Sequence, residues 1–143
     1  MTSIINVAKY ILNECGEMTT MKLQKLCYYV QAWYLAWEEE PLFEDNFEAW
    51  ANGPVNPSLY SIHKGKFHIN KNDLKIDDYN FSELQLENMN RVIEYYCDFT
   101  PQELSNLTHT EEPWKNARRG VAPGMPSSNI IDKESMLQFY SGL

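Results

Sequence analysis

The sequence predicts a mainly α protein, a single compact multi-helix domain over residues 1–143 with one small strand or hairpin element near residues 47–55. Three observations carry this. Apolar residues recur at intervals of three and four through two N-terminal stretches, helix-start signals recur along the rest of the chain, and Phe47-Glu48-Ala49-Trp50-Ala51 is the one short run that suits a strand.

Ile4, Ile5, Ala8, Ile11 and Leu12 share one helical face, and Gly16 follows as a left-handed stop, so a first helix covers residues 4–14. Thr19 or Thr20 caps the second, in which Leu23, Leu26, Val30, Trp33 and Trp37 form a stripe flanked by Cys27, Tyr28, Tyr29 and Tyr34. A helix apolar over most of its circumference belongs at the centre of the fold. Pro41 ends it, and Asn52-Gly53-Pro54 closes the strand-like run with a turn signal. Asn56-Pro57 opens a third helix that stops before Gly65, and His63 to Lys71 reads as a solvated loop.

Ser82 with Gln85 forms a capping box ahead of Leu86, Met89, Ile93 and Tyr96, which predicts a long fourth helix to about Asp98. Thr100-Pro101-Gln102-Glu103 combines a cap, Pro at the first position and Glu at the third, and starts a fifth. Thr110 or Glu111, then Pro113, open a sixth that runs through Trp114 and Ala117 to Arg118-Arg119 and Gly120. Residues 121–129 form an irregular connection. Asp132 caps a terminal helix, with Ile131 and Met136 placed as a hydrophobic staple.

Composition narrows the function. The 143 residues carry 12 Lys+Arg against 20 Asp+Glu, a net charge of -8, yet 13% of them are aromatic. So many aromatics exclude disorder. The acidity argues against nucleic acid as a partner, because neutralising phosphates takes clustered Lys and Arg. The longest apolar stretch, Leu26 to Trp37, has 12 residues and contains Gln31, too short to span a membrane. No leader peptide is expected, and a cytoplasmic location follows. Cys15, Cys27 and Cys97 have no C-x-x-C spacing; they read as small buried hydrophobes in a reducing compartment, not as a disulfide framework or a zinc site.

The local signatures of nucleotide-binding loops, serine hydrolases and zinc proteases are all missing from the sequence. His109, Glu112 and Arg118 are the strongest catalytic candidates, an imidazole, an orienting carboxylate and an anion-binding guanidinium for a phosphate- or nucleotide-like substrate. The same residues also suit plain structural work, Glu112 at a helix start and the Arg pair at a helix end. His63 and His68 are separated by Gly65 with no further ligand at metal-binding spacing, so neither metal nor cofactor is expected. Trp33, Tyr34 and Trp37 read as core. Glu38, Glu39, Glu40, Glu44, Asp45 and Glu48 place six acids in 11 residues beside Trp37, Phe43 and Phe47, which suits either a solvated surface or a face for a basic partner.

The run Met21-Lys22-Leu23-Gln24-Lys25-Leu26-Cys27-Tyr28-Tyr29-Val30-Gln31-Ala32-Trp33 resembles the Panacea domain, the family that includes the SocA antitoxin and phage-associated or genetic-element proteins. Pro41-Leu42-Phe43, Glu48-Ala49-Trp50 and Gly53-Pro54-Val55 continue the resemblance. Leu104-Ser105, Thr108-His109, Pro113-Trp114 and Ala117-Arg118 extend it, so that it covers about residues 4–120. It implies a helical antitoxin that neutralises a toxin by direct binding, with a protease-adaptor role of the ClpXP type as a variation, and it carries no catalytic residue across. An acidic antitoxin suits a basic toxin. The partner-binding candidates are Glu38, Glu39, Glu40, Phe43, Glu44, Asp45 and Trp50, with His109, Glu112, Trp114 and Arg118. The rival expectation is a small enzyme using His109, Glu112 and Arg118.

Overall fold

A computed structural model describes residues 2–143. Its helices are α1 (Ile4–Cys15), α2 (Thr20–Glu38), α3 (Pro57–His63), α4 (Glu83–Tyr96), α5 (Pro101–Thr110), α6 (Glu112–Ala117) and α7 (Lys133–Ser141). Two antiparallel pairs complete it: β1 (Met18–Thr19) with β4 (His68–Ile69), and the hairpin β2 (Glu48–Trp50) with β3 (Gly53–Val55). The expected mainly α class with a hairpin near 47–55 is what the chain adopts. No helix among the described residues is long and apolar enough to cross a membrane.

Most helix starts follow the local signals. Ser3, Ser82 and Thr100 each close a capping box, while Thr19, Asn56 and Asp132 cap α2, α3 and α7 through their side chains. Ile131 and Met136 are both buried at the start of α7, as a staple requires. The second helix stops earlier than Pro41 suggests, at Glu38, because Glu39 takes a left-handed conformation and donates its N–H to the Leu35 carbonyl.

Helix α2 is the centre of the core, packed by α1, α4, α5, α7 and the β2–β3 hairpin. Leu23, Leu26, Cys27, Tyr28, Tyr29, Val30 and Ala32 are all essentially inaccessible to solvent. Two polar side chains on the same helix, one heptad apart, are equally buried. Gln31 Oε1 accepts from Leu42 N–H at 2.8 Å, and its Nε2 donates to the Phe43 carbonyl at 2.6 Å. Gln24 Oε1 accepts from Asn56 N–H at 2.8 Å, and its Nε2 donates to the Asn56 carbonyl at 3.2 Å. Each glutamine acts as a substitute peptide group, satisfying backbone that would otherwise be buried unpaired.

Three expectations need correction. Residues 63–71 are not simply a solvated loop: His63 is buried against Gln24 at 3.0 Å, and Ile69 is buried where β4 pairs with β1. Cys15 and Cys97 are half-buried and paired in a disulfide, Cα–Cα 6.2 Å, because the C-terminal ends of α1 and α4 meet there; only Cys27 is a buried free thiol. Trp37 is not a core residue but lies at the surface, whereas Tyr34 is buried and Trp33 is half-buried, packed against the core.

Replacing Gln31 by Ala strands the Leu42 N–H and the Phe43 carbonyl in the core. We expect Gln31→Ala to lower unfolding free energy by about 2–4 kcal/mol. Urea denaturation measures it, and a change within about 0.5 kcal/mol would show that the clamp is dispensable.

Candidate functional site

The segment from Glu38 to Glu48 divides into acids that hold structure and acids that face water. Glu38 accepts from Asn88 Nδ2 at 3.0 Å, Asp45 accepts from the Ile4 N–H at the start of α1 at 3.1 Å, and Glu48 accepts from Trp50 Nε1 at 2.9 Å. Glu39, Glu40 and Glu44 are exposed. Phe43, expected beside them as a surface anchor, is fully buried with its ring 6.1 Å from Phe47. The Gln31 clamp on its backbone pulls it inward.

The α5–α6 corner brings His109 and Arg118 together around one indole. The His109 ring stacks on Trp114 with centroids 4.1 Å apart and planes at 14°, and the Arg118 guanidinium lies 5.1 Å from the same ring. Trp114 Nε1 donates to the Trp50 carbonyl at 2.9 Å. Arg118, nearly buried, donates to three carbonyls: Ala49 at 2.8 Å, Met125 at 2.6 Å and Ala122 at 3.4 Å. Its donors thus tie the hairpin to the 121–130 connection. Ala49 N–H reaches the Asn129 carbonyl and Ile131 N–H the Phe47 carbonyl, both at 2.8 Å, so that connection is pinned from two sides.

Glu112 is exposed on the first turn of α6, and nothing joins it to His109. His109 Nε2 is buried without a hydrogen-bond partner among the described residues. The imidazole is held below its ordinary range by burial, then by the positive charges of Lys25 and Arg118, with the Ala51 backbone opposing them. The structure therefore unites His109, Trp114 and Arg118 with the hairpin but leaves Glu112 outside. His63 and His68 also part, one buried and one exposed.

Lys25, which the sequence does not single out, runs beneath the hairpin turn. It is 1% exposed, and its Nζ has no partner among the described residues. Gly53, at φ 126°, sits so close that a Cβ there would lie 2.8 Å from Lys25 Cε. Only glycine fits, both for its left-handed φ and for this approach. Burial pulls the Lys25 ammonium down to about 8. Outside the turn, Trp50, Glu48, Met21 and Ser127 help to line an open groove of about 550 Å³. Trp50 stands half-buried in its wall, 4.8 Å from the Tyr60 ring.

A second groove, of about 490 Å³, opens on the other side of the α5–α6 corner, between the C-terminal half of α2 and α4. Trp33, Trp37, Tyr95 and Tyr96 wall it, and Glu111 lines it. Glu111 precedes α6 as the sequence suggests, but its side chain does not cap. It turns inward, where its Oε1 accepts from Tyr29 Oη at 2.6 Å and Tyr140 Oη at 2.8 Å. Burial raises its carboxyl above the usual range, against the pull of the two phenols. The Glu111-Glu112 pair before Pro113 was the only signal in the sequence, and it cannot say which of the two acids points inward.

The family model for antitoxin SocA-like, Panacea domain, matches residues 23–115, and the chain belongs to that family. It is an antitoxin-like protein, a regulatory and not an enzymatic class. No curated protein and no solved structure matches it.

The Lys25 ammonium is penalised in the folded state. Its folded pKa lies below its unfolded value, so the cost is fully present below about pH 8 and vanishes as pH rises towards 10.5. We expect Lys25→Met to stabilise the protein by on the order of 3 kcal/mol at pH 7. The gain should shrink as urea denaturation is repeated up to pH 10.5, and a gain independent of pH contradicts this account.

Proposed function

We propose that this chain is a cytoplasmic antitoxin that neutralises a cognate toxin by direct stoichiometric binding, and that the toxin is basic. The family match over residues 23–115 carries the proposal. The net charge of -8 supports the sign of the partner, since opposite fields speed encounter and disfavour wrong partners. Glu39, Glu40 and Glu44 supply the exposed charge at the C-terminal end of α2, and Glu112 adds one more at the α5–α6 corner. Trp50, half-buried in the hairpin groove, supplies an aromatic contact. Trp114 and Arg118 act from behind, by holding the hairpin and the 121–130 connection in place.

Co-expression with the protein encoded beside its gene tests this reading. That neighbour should arrest growth alone and be silenced by this chain, with a one-to-one complex recovered on purification. Toxicity that persists despite antitoxin expression contradicts it. Toxin that disappears in a protease-dependent way marks delivery to a ClpXP-type protease, whereas toxin that accumulates in the complex marks inhibition by binding. We expect the triple replacement Glu39→Lys, Glu40→Lys and Glu44→Lys to slow association by about tenfold at low salt. The difference should narrow in about 0.5 M salt, where the Debye length falls to a few ångströms.

A further inference from the structure

We propose that the aromatic groove between α2 and α4 takes a lysine or arginine side chain from the basic protein partner, with Glu111 as its counter-charge. This rests on the antitoxin reading and names the chemistry of one contact within it.

Glu111 is only 7% exposed, yet it lines the groove. Its Oε1 is occupied by the two phenols, while its second oxygen takes no hydrogen bond among the described residues. It has no counter-cation either: the ion pairs among the described residues are Lys9 with Asp78 and Lys66 with Asp73. A buried carboxylate with one oxygen spare and no cation beside it recognises a positive group and rejects a negative one.

The walls suit the same occupant. Trp33 and Trp37 stand 5.4 Å apart, and Tyr96 stacks on Tyr29 at 4.3 Å, so the phenol that binds Glu111 is itself fixed by the aromatic wall. Electron-rich ring faces attract ammonium and guanidinium groups. The chain already displays this at the rim, where the exposed Arg91 guanidinium lies 4.4 Å from the Trp37 ring centre. From Trp37 the chain runs directly into Glu38, Glu39 and Glu40, so the approach to the groove is acidic as well. A neutral helix or an acidic peptide would find an apolar wall but would leave Glu111 uncompensated. The groups facing Glu111 are Tyr29 and Tyr140, which donate to it, with Tyr96 and Arg91 further out in the groove.

The test uses the full chain and small probes. N-acetyl-arginine methylamide and N-acetyl-lysine methylamide are titrated against it, with the neutral citrulline analogue as control, following the indole N–H resonances of Trp33 and Trp37. The cationic probes should bind saturably in the millimolar range and the citrulline analogue at least tenfold more weakly. Glu111→Gln keeps an oxygen for both phenols and removes the charge. It should fold at least as stably at pH 7 and lose at least tenfold in probe affinity. Trp37→Ala, at a surface position, should weaken the probes as well, and Arg91→Ala should leave them equal or tighter. In the toxin complex, Glu111→Gln should raise the dissociation constant by at least tenfold. Binding indifferent to probe charge or to Glu111 overturns the proposal. So does an unchanged toxin dissociation constant for Glu111→Gln, an outcome that leaves the antitoxin reading standing. Failure of the wild-type chain to neutralise any neighbour removes the antitoxin reading instead, whatever the probes do.

Discussion

The path of the chain after the central helix depends on two buried glutamines of that helix. The stretch from Pro41 to Asn56 has little regular structure before its hairpin, yet it crosses a core face where backbone groups cannot reach water. Gln31 takes up the peptide groups at Leu42 and Phe43, and Gln24 those at Asn56, from positions seven residues apart on α2. From the first anchor onward the chain bends Phe43 and Phe47 into the core, while Glu39 and Glu40 just before it and Glu44 just after it face outward. Asn56 carries the clamp onward. Its side chain caps α3 through Leu59 N–H at 2.8 Å and reaches the Asn46 carbonyl at 2.7 Å. A buried amide costs several kcal/mol if left unpaired, so each of these pairings is as obligatory as an apolar contact.

The α5–α6 corner shows how one bend serves two faces. His109 and Glu111 are two residues apart, but the extended backbone at Glu111 sends their side chains to different surroundings. His109 joins the hairpin side, where Lys25 and Arg118 make the interior positive. Glu111 joins the tyrosines of α2 and α7, where it is the negative group. Neither charge is cancelled by a neighbour of opposite sign. On the hairpin side carbonyl groups absorb the Arg118 charge, which is a structural solution. On the tyrosine side Glu111 lines a groove, and its second oxygen takes no hydrogen bond among the described residues. That asymmetry is why the corner is read as scaffold on one side and as recognition surface on the other.

How far the sequence reached follows from the range of the interactions involved. Caps, Pro at first helical positions and glycine stops act within four residues, so α1, α3 and α4 were legible almost to their ends, the starts of α5 and α7 were legible too, and so was the turn at Asn52-Gly53-Pro54. Among the charged candidates, exposure of Glu39, Glu40 and Glu44 could be expected from their density. Phe43 could not be placed, because its burial depends on a glutamine twelve residues earlier, and Gln31 in an apolar stretch looks only like an interruption. Trp37 misled for the opposite reason: helical spacing marks it as one stripe with Leu26 and Val30, but the stripe outruns the elements that cover it.

By itself, then, the sequence determined a mainly helical acidic chain, the order of its helices, its hairpin and its family resemblance, since each of these is written in neighbouring residues or in a spaced pattern of them. The tertiary structure alone decided which polar residues are buried and what they touch. Cys15 meets Cys97 across 82 residues, Tyr29 meets Glu111 across 82, and Tyr140 meets Glu111 across 29. The physical reason is the same in each case. A buried polar group takes whatever partner the packing of separate elements brings within hydrogen-bonding distance, and no local pattern encodes that meeting.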